Sequence, residues 1–127
     1  MKTSELTGSQ LAHAVARAEG YDIFDHSVVG ATVYSVESGG KFIGYIGGGH
    51  LPQYAPHEQW TQGGPVIERM RIKLMPTIPT GQTWYATKCS GATVADMILW
   101  RGQADTPLVA AMRCYVHGMF GDEVPHG

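Results

Sequence analysis

The stretch EQWTQGGPVIERMRIKL, Glu58 to Leu74, sets Gly63, Gly64 and Pro65 in succession between two segments that both read as regular structure. Glu58 to Gln62 has the length of one or two helical turns. Two glycines then permit a sharp change of direction, and Pro65 suits the first position of a new helix, where its missing N–H costs nothing. The spacing predicts a short broken central helix that resumes over PVIER, residues 65–69. Beyond it the period falls to two, with Met70, Ile72 and Leu74 alternating with Arg69, Arg71 and Lys73. That alternation is the mark of a half-buried strand, apolar side chains inward and cations outward. The strand would align three of the nine Lys and Arg residues.

Two readings of this basic row stand side by side. One is a solvated strand face whose charges deter edge aggregation. The other is an anion site, with the freed N–H groups of a new helix start at Gly63 and Gly64 and the forks of Arg69 and Arg71, with Lys73, around a phosphate. Glu68 would partly neutralise such a site.

Upstream, LTGSQLAHAVARAEG predicts a helix. Thr7 and Gln10 have capping-box spacing, Leu11, Val15 and Ala18 recur on one face, and Gly20 supplies a left-handed stop. His13 and Arg17 fall on its flank and are expected to face solvent. Residues 21 to 49 read as β-structure: GATVYSVES and KFIGYIG are joined across Ser38-Gly39-Gly40, a hairpin signature. The glycine-rich GYIGGGHLPQYAP lacks the lysine of a phosphate-binding loop and reads as a flexible connector.

Downstream, PTIPTGQ, residues 76 to 82, is a proline-broken loop. TWYATK and TVADMILWRG read as two further strands with Cys89-Ser90-Gly91 near their turn. Trp84, Tyr85 and Trp100 are core or interface aromatics, with base stacking by one of them as the alternative. The last helix, within DTPLVAAMRCYVHGMFGDEV, takes Thr106 or Asp105 as cap and Pro107 as first residue. Leu108, Ala111, Met112, Tyr115 and Met119 form its apolar stripe. Arg113 lies beside the stripe, placed either for a structural ion pair or for a ligand at a helix–sheet seam.

The chain has 127 residues, the size of one domain, with 43% hydrophobic and only 16% charged residues and a net charge of −2. No global basic field draws it to nucleic acid or membranes. No apolar run has the length of a membrane span, and the polar MKTSELTGSQ lacks a signal-peptide core, so the cytoplasm is the expected location. Two cysteines without CxxC spacing are expected to be free thiols there. Catalytic signals are scarce. His57-Glu58 begins like a zinc motif and fails at Thr61, and no GxSxG occurs. Cys114 and His117, three apart on a helix, have contact spacing but sit on a buried stripe, where cysteines are inert.

Three blocks carry a resemblance: MKTSELTG with the alanine-rich helix after it, WTQGGPVIER, and TPLVAAMRCYV followed by GDEV. In this order they resemble the NinX-type proteins of tailed phages and prophages, which implies a phage protein without implying an activity. In size, strand–strand–helix layout and the C-terminal helical arginine the chain is also similar, more weakly, to the Thoeris anti-defence sponge proteins. Those bind cyclic ADP-ribose-type and cyclic-nucleotide signals between subunits and cut nothing. Only Arg113 and an aromatic at Trp84 or Tyr85 have matches there, and the asparagine of such a pocket has none, since the chain contains no asparagine.

The resulting expectation is one α+β domain over residues 1–127, a mostly antiparallel sheet with N-terminal, broken central and C-terminal helices. Its expected function is sequestration of an anionic nucleotide-like signal by a phage accessory protein, as a homodimer or higher homo-oligomer, without cofactor, metal or turnover. The expected site is Arg113, Arg71, Arg69, Lys73, Trp84, Tyr85, Gly63 and Gly64. A protein-binding module that blocks a host factor, or a small nucleotide hydrolase, are the alternatives.

Overall fold

The C-terminal helix, α3 (Pro107–Phe120), organises the molecule in the computed structural model, which describes residues 1–78, 80–90 and 98–125. Thr106 caps it, its hydroxyl accepting from the Val109 N–H at 3.3 Å, and Pro107 opens the first turn. Leu108, Ala110, Ala111, Met112, Cys114, Tyr115 and Val116 are all buried, a wider belt than one stripe. Met119, expected on that stripe, is instead exposed.

Two three-stranded antiparallel sheets and two more helices complete the fold. The first sheet has the order β1 (Asp22–Asp25), β2 (Tyr34–Ser38), β3 (Lys41–Ile46). Its hairpin turns on Gly39 and Gly40, both at positive φ, as the SGG signature requires. The second has the order β4 (Lys73–Pro76), β5 (Trp84–Ser90), β6 (Ile98–Ala104). Residues 91–97, which include Gly91 of the expected turn and the first part of the strand expected over TVADMILWRG, lie outside the described residues. The fold class is α+β, with helices near both ends of the chain.

Helix α1 (Gly8–Ala18) buries Leu11, Ala12, Ala14, Val15 and Ala16. It ends as expected: Tyr21 N–H reaches Ala16 C=O and Gly20 N–H reaches Arg17 C=O, the double bond pattern that a left-handed glycine allows. The capping box does not form, because Thr7 occupies the N-cap without a side-chain cap bond. Nor do His13 and Arg17 simply face solvent. His13 packs edge-on to Tyr34 with ring centroids 5.0 Å apart, and Arg17 lies over the Phe120 ring and donates to Pro125 C=O.

The central segment departs furthest from expectation. Helix α2 (Trp60–Met70) runs without a break through Gly63, Gly64 and Pro65. Neither glycine turns the chain. Gly63 is there for space: a Cβ on it would overlap the Pro56 carbonyl and the Leu108 side chain. The helix stops at Arg71, a left-handed residue at φ 57°. The expected basic strand face therefore does not exist. Arg69 belongs to the last helical turn, Arg71 to the stop, and Lys73 to the start of β4.

The glycine-rich segment after β3 is pinned rather than loose. The Gln53 amide bonds both Gly47 N–H and Gly47 C=O, and the Gln62 amide bonds Ala55 N–H and Gln53 C=O. Tyr54 is buried between them, edge-on to Tyr21.

Candidate functional site

A cleft of about 680 Å³ opens along the outer edge of β6. Its walls are the segment Lys2–Ser4, residues 101–105 of β6 and its end, Arg113 and His117 of α3, Asp122 and Glu123 after α3, and Thr83 and Tyr85. The volume falls in the range of small-molecule sites. Lys2 forms an antiparallel bridge with Glu123, and buried Thr3 donates its hydroxyl to Gly121 C=O at 2.7 Å. The two ends of the described chain thus close one wall together.

The other wall follows from how α3 lies on β6. Gly102 lets the two backbones approach closely, since a Cβ there would meet the Ala110 carbonyl and the Cys114 N–H. With the backbones this near, Arg113 and His117, four residues apart and so on one face of α3, reach round the strand edge. Arg113 Nη1 donates to Gln103 C=O at 2.7 Å and its Nε to Leu6 C=O at 2.9 Å. His117 Nδ1 accepts from Arg101 N–H at 3.3 Å, which leaves the ring proton on Nε2, where it is donated to Asp122 at 2.9 Å. Both ring nitrogens are taken.

Three cations (Lys2, Arg101, Arg113) and three carboxylates (Asp105, Asp122, Glu123) line the cleft, so charge is locally directed rather than uniformly positive. Arg101 Nη2 stands 4.0 Å from Asp122, with the arginine side chain more than half exposed. Cys114, behind His117, is fully buried and its thiol is pushed up to about 12 by burial, which removes the thiolate a nucleophile needs.

Of the residues singled out in the sequence, Arg113 and Tyr85 meet at this cleft. The others are elsewhere. Arg69 is paired with Glu19 at 2.6 Å, Arg71 and Lys73 are exposed, Trp84 packs half-buried against the core, and Gly63 and Gly64 lie inside α2. Lys2, Arg101, Gln103 and Asp122 carried no signal, and His117 was set aside with Cys114. Besides the place of Arg113 beside the apolar stripe, the readable hint is the four-residue spacing of Arg113 and His117.

The matching family model is described as Bacteriophage P22, NinX, and covers residues 2–118. The chain belongs to the NinX family. The match takes in Lys2–Ser4, β6, and both Arg113 and His117, and leaves Asp122 and Glu123 of the cleft lining beyond its end. No curated protein matches the sequence. Among the described residues no helix is long and apolar enough to cross a membrane, and no cluster of His, Cys, Asp and Glu has the makings of a metal site.

Proposed function

We propose that this NinX-family chain is a phage accessory protein that holds an anionic, nucleotide-like signalling molecule in the β6-edge cleft without turning it over. The observation that carries the reading is the convergence of Arg101, Arg113, Lys2, Tyr85 and an exposed strand edge around a space of ligand size. Binding is favoured over hydrolysis by the state of His117. With Nδ1 accepting from a backbone N–H and Nε2 donating to Asp122, no lone pair is left to take a proton from water. The counter-defence role is suggested by the weaker resemblance of the sequence to Thoeris sponge proteins in size, layout and the C-terminal helical arginine.

Incubating the protein with extracts rich in cyclic nucleotides and cyclic ADP-ribose isomers, washing, and heating it tests the reading. Mass spectrometry of the supernatant is expected to recover one intact nucleotide-like species. Recovery of hydrolysed products, or of nothing, counts against it.

A second reading has its own observation. The outer face of the first sheet exposes Phe24 and Phe42, about half accessible each, with the Phe42 and Tyr45 rings 4.9 Å apart. A second copy of the chain, or a host protein, would cover that face. Light scattering at micromolar concentration is expected to give a dimer mass that Phe42→Glu reduces to the monomer; a wild-type monomer mass removes self-association.

A further inference from the structure

The edge of β6 presents one unused couple of backbone groups to the cleft. In an antiparallel ladder the N–H and C=O of a residue point to the same side, and successive residues alternate. Arg101 N–H and Gln103 C=O point away from β5, because His117 and Arg113 bond them from α3. Arg101 C=O and Gln103 N–H therefore point the same way. Along the edge the order is Arg101 N–H, Arg101 C=O, Gln103 N–H, Gln103 C=O. The outer two are capped by side chains one helical turn apart, and the inner two lie between the caps. No hydrogen bond among the described residues reaches that inner pair.

This framing decides what fits. An added peptide strand requires a run of free edge groups, and here the groups on either side are spent. What is left is one acceptor and one donor, side by side, at the wall of a cleft of nucleotide size. We infer that this couple reads the Watson–Crick edge of a nucleobase, with Arg101 C=O accepting from a base N–H and Gln103 N–H donating to the adjoining ring nitrogen or carbonyl oxygen. Nucleobases offer a donor beside an acceptor on that edge, which is why proteins that read unpaired bases use it. Tyr85 stands opposite Gln103 in the ladder, and the exposed Arg101 guanidinium is within the same cleft to meet a phosphate. The inference rests on the nucleotide reading of the cleft and adds which part of the ligand is read, and by which atoms.

Because the reader is backbone, the test removes a backbone N–H. Gln103→Pro deletes the donor at an edge position whose N–H is not in the ladder, where proline is tolerated. Gln103→Ala deletes only the side chain. Calorimetric titrations with AMP, GMP, CMP and UMP are set against ribose 5-phosphate, which has the anion but no base. The expected result is that at least one nucleotide binds roughly tenfold or more tightly than ribose 5-phosphate, the worth of about one well-made hydrogen bond pair. Gln103→Pro is expected to erase that advantage and Gln103→Ala to keep it. If Gln103→Pro does not fold, the wild-type Gln103 amide proton gives the answer: on saturation it is expected to shift downfield and become protected from exchange. Nucleotides that bind no better than ribose 5-phosphate, or an unmoved Gln103 amide, overturn base reading while leaving the anion site standing. If neither the nucleotides nor ribose 5-phosphate bind, the nucleotide reading of the cleft falls as well.

Discussion

Arg71 holds a conformation that side chains avoid. At φ 57° and ψ 43° it ends α2 in the left-handed region, where its Cβ crowds the following carbonyl. Arg71→Gly is expected to stabilise the protein by about 0.5–1 kcal/mol, the strain relieved exceeding the flexibility added to the unfolded chain. An unchanged or lower urea midpoint would show that the arginine makes up for its strain by other means. Eight residues earlier the logic inverts. Gly63 and Gly64 are adjacent, both helical, and differ only in what surrounds them. A methyl at Gly63 enters the Pro56 carbonyl, so Gly63→Ala is expected to cost about 1–3 kcal/mol. At Gly64 the nearest atom to such a methyl is Trp60 Cε3, 4.0 Å away, so Gly64→Ala is expected to gain about 0.5–1 kcal/mol through helix propensity. Paired thermal melts of the two variants separate close packing from the chain reversal that the glycine pair suggests in sequence.

Helix α3 and strand β6 act as one unit, joined by close approach at Gly102 and by Arg113 and His117 over the strand edge. Arg113 also ties Leu6 to this unit, so its removal frees two carbonyls and loosens the cleft wall. Arg113→Ala is expected to lower stability by about 1–3 kcal/mol, the cost of charge-assisted bonds left unmade, rather than leave the melting temperature untouched as a surface cation would. Arg101→Ala, whose guanidinium is more than half exposed, is expected to shift stability by less than about 0.5 kcal/mol, which makes it the cleaner probe of ligand binding. Chemical denaturation of both variants checks the contrast. The elements most legible in sequence were those fixed by local chemistry: the Thr106-Pro107 start of α3, the Gly39-Gly40 turn, the Gly20 stop of α1. The continuous central helix is not legible, because Gly63-Gly64-Pro65 is locally a breaker signal, and the packing of Pro56 and Leu108 that calls for glycine at position 63 appears only in the folded chain. The cleft was half legible. Arg113 could be placed at a helix–sheet seam from its position beside the stripe, but Arg101 and Gln103 acquire meaning only once α3 lies along their edge.

The two sheets and three helices share one core, and two histidines, His57 and His13, are set into or against it. His57 is buried with its Nδ1 lacking a hydrogen-bond partner among the described residues, and His13 sits half-buried against Tyr34. Burial holds both below the usual imidazole range; the Arg17 charge adds to this at His13, whereas Glu58 partly offsets it at His57. The unfolded chain, with ordinary histidines, therefore binds protons more readily than the folded one just below about pH 6.5. The stability contributed by these neutral rings is fully present above that point and is lost as pH falls through the depressed folded-state values. Urea midpoints are expected to be flat from about pH 8 to 7 and to decline from about pH 6.5 to 5, before the carboxylates titrate. His57→Leu removes one titrating ring and an unbonded buried nitrogen, and is expected to flatten the decline and to raise stability at the acid end. A wild-type profile without acid-side decline, or a decline that survives both His57→Leu and His13→Gln, would place the enclosed histidines outside the stability balance.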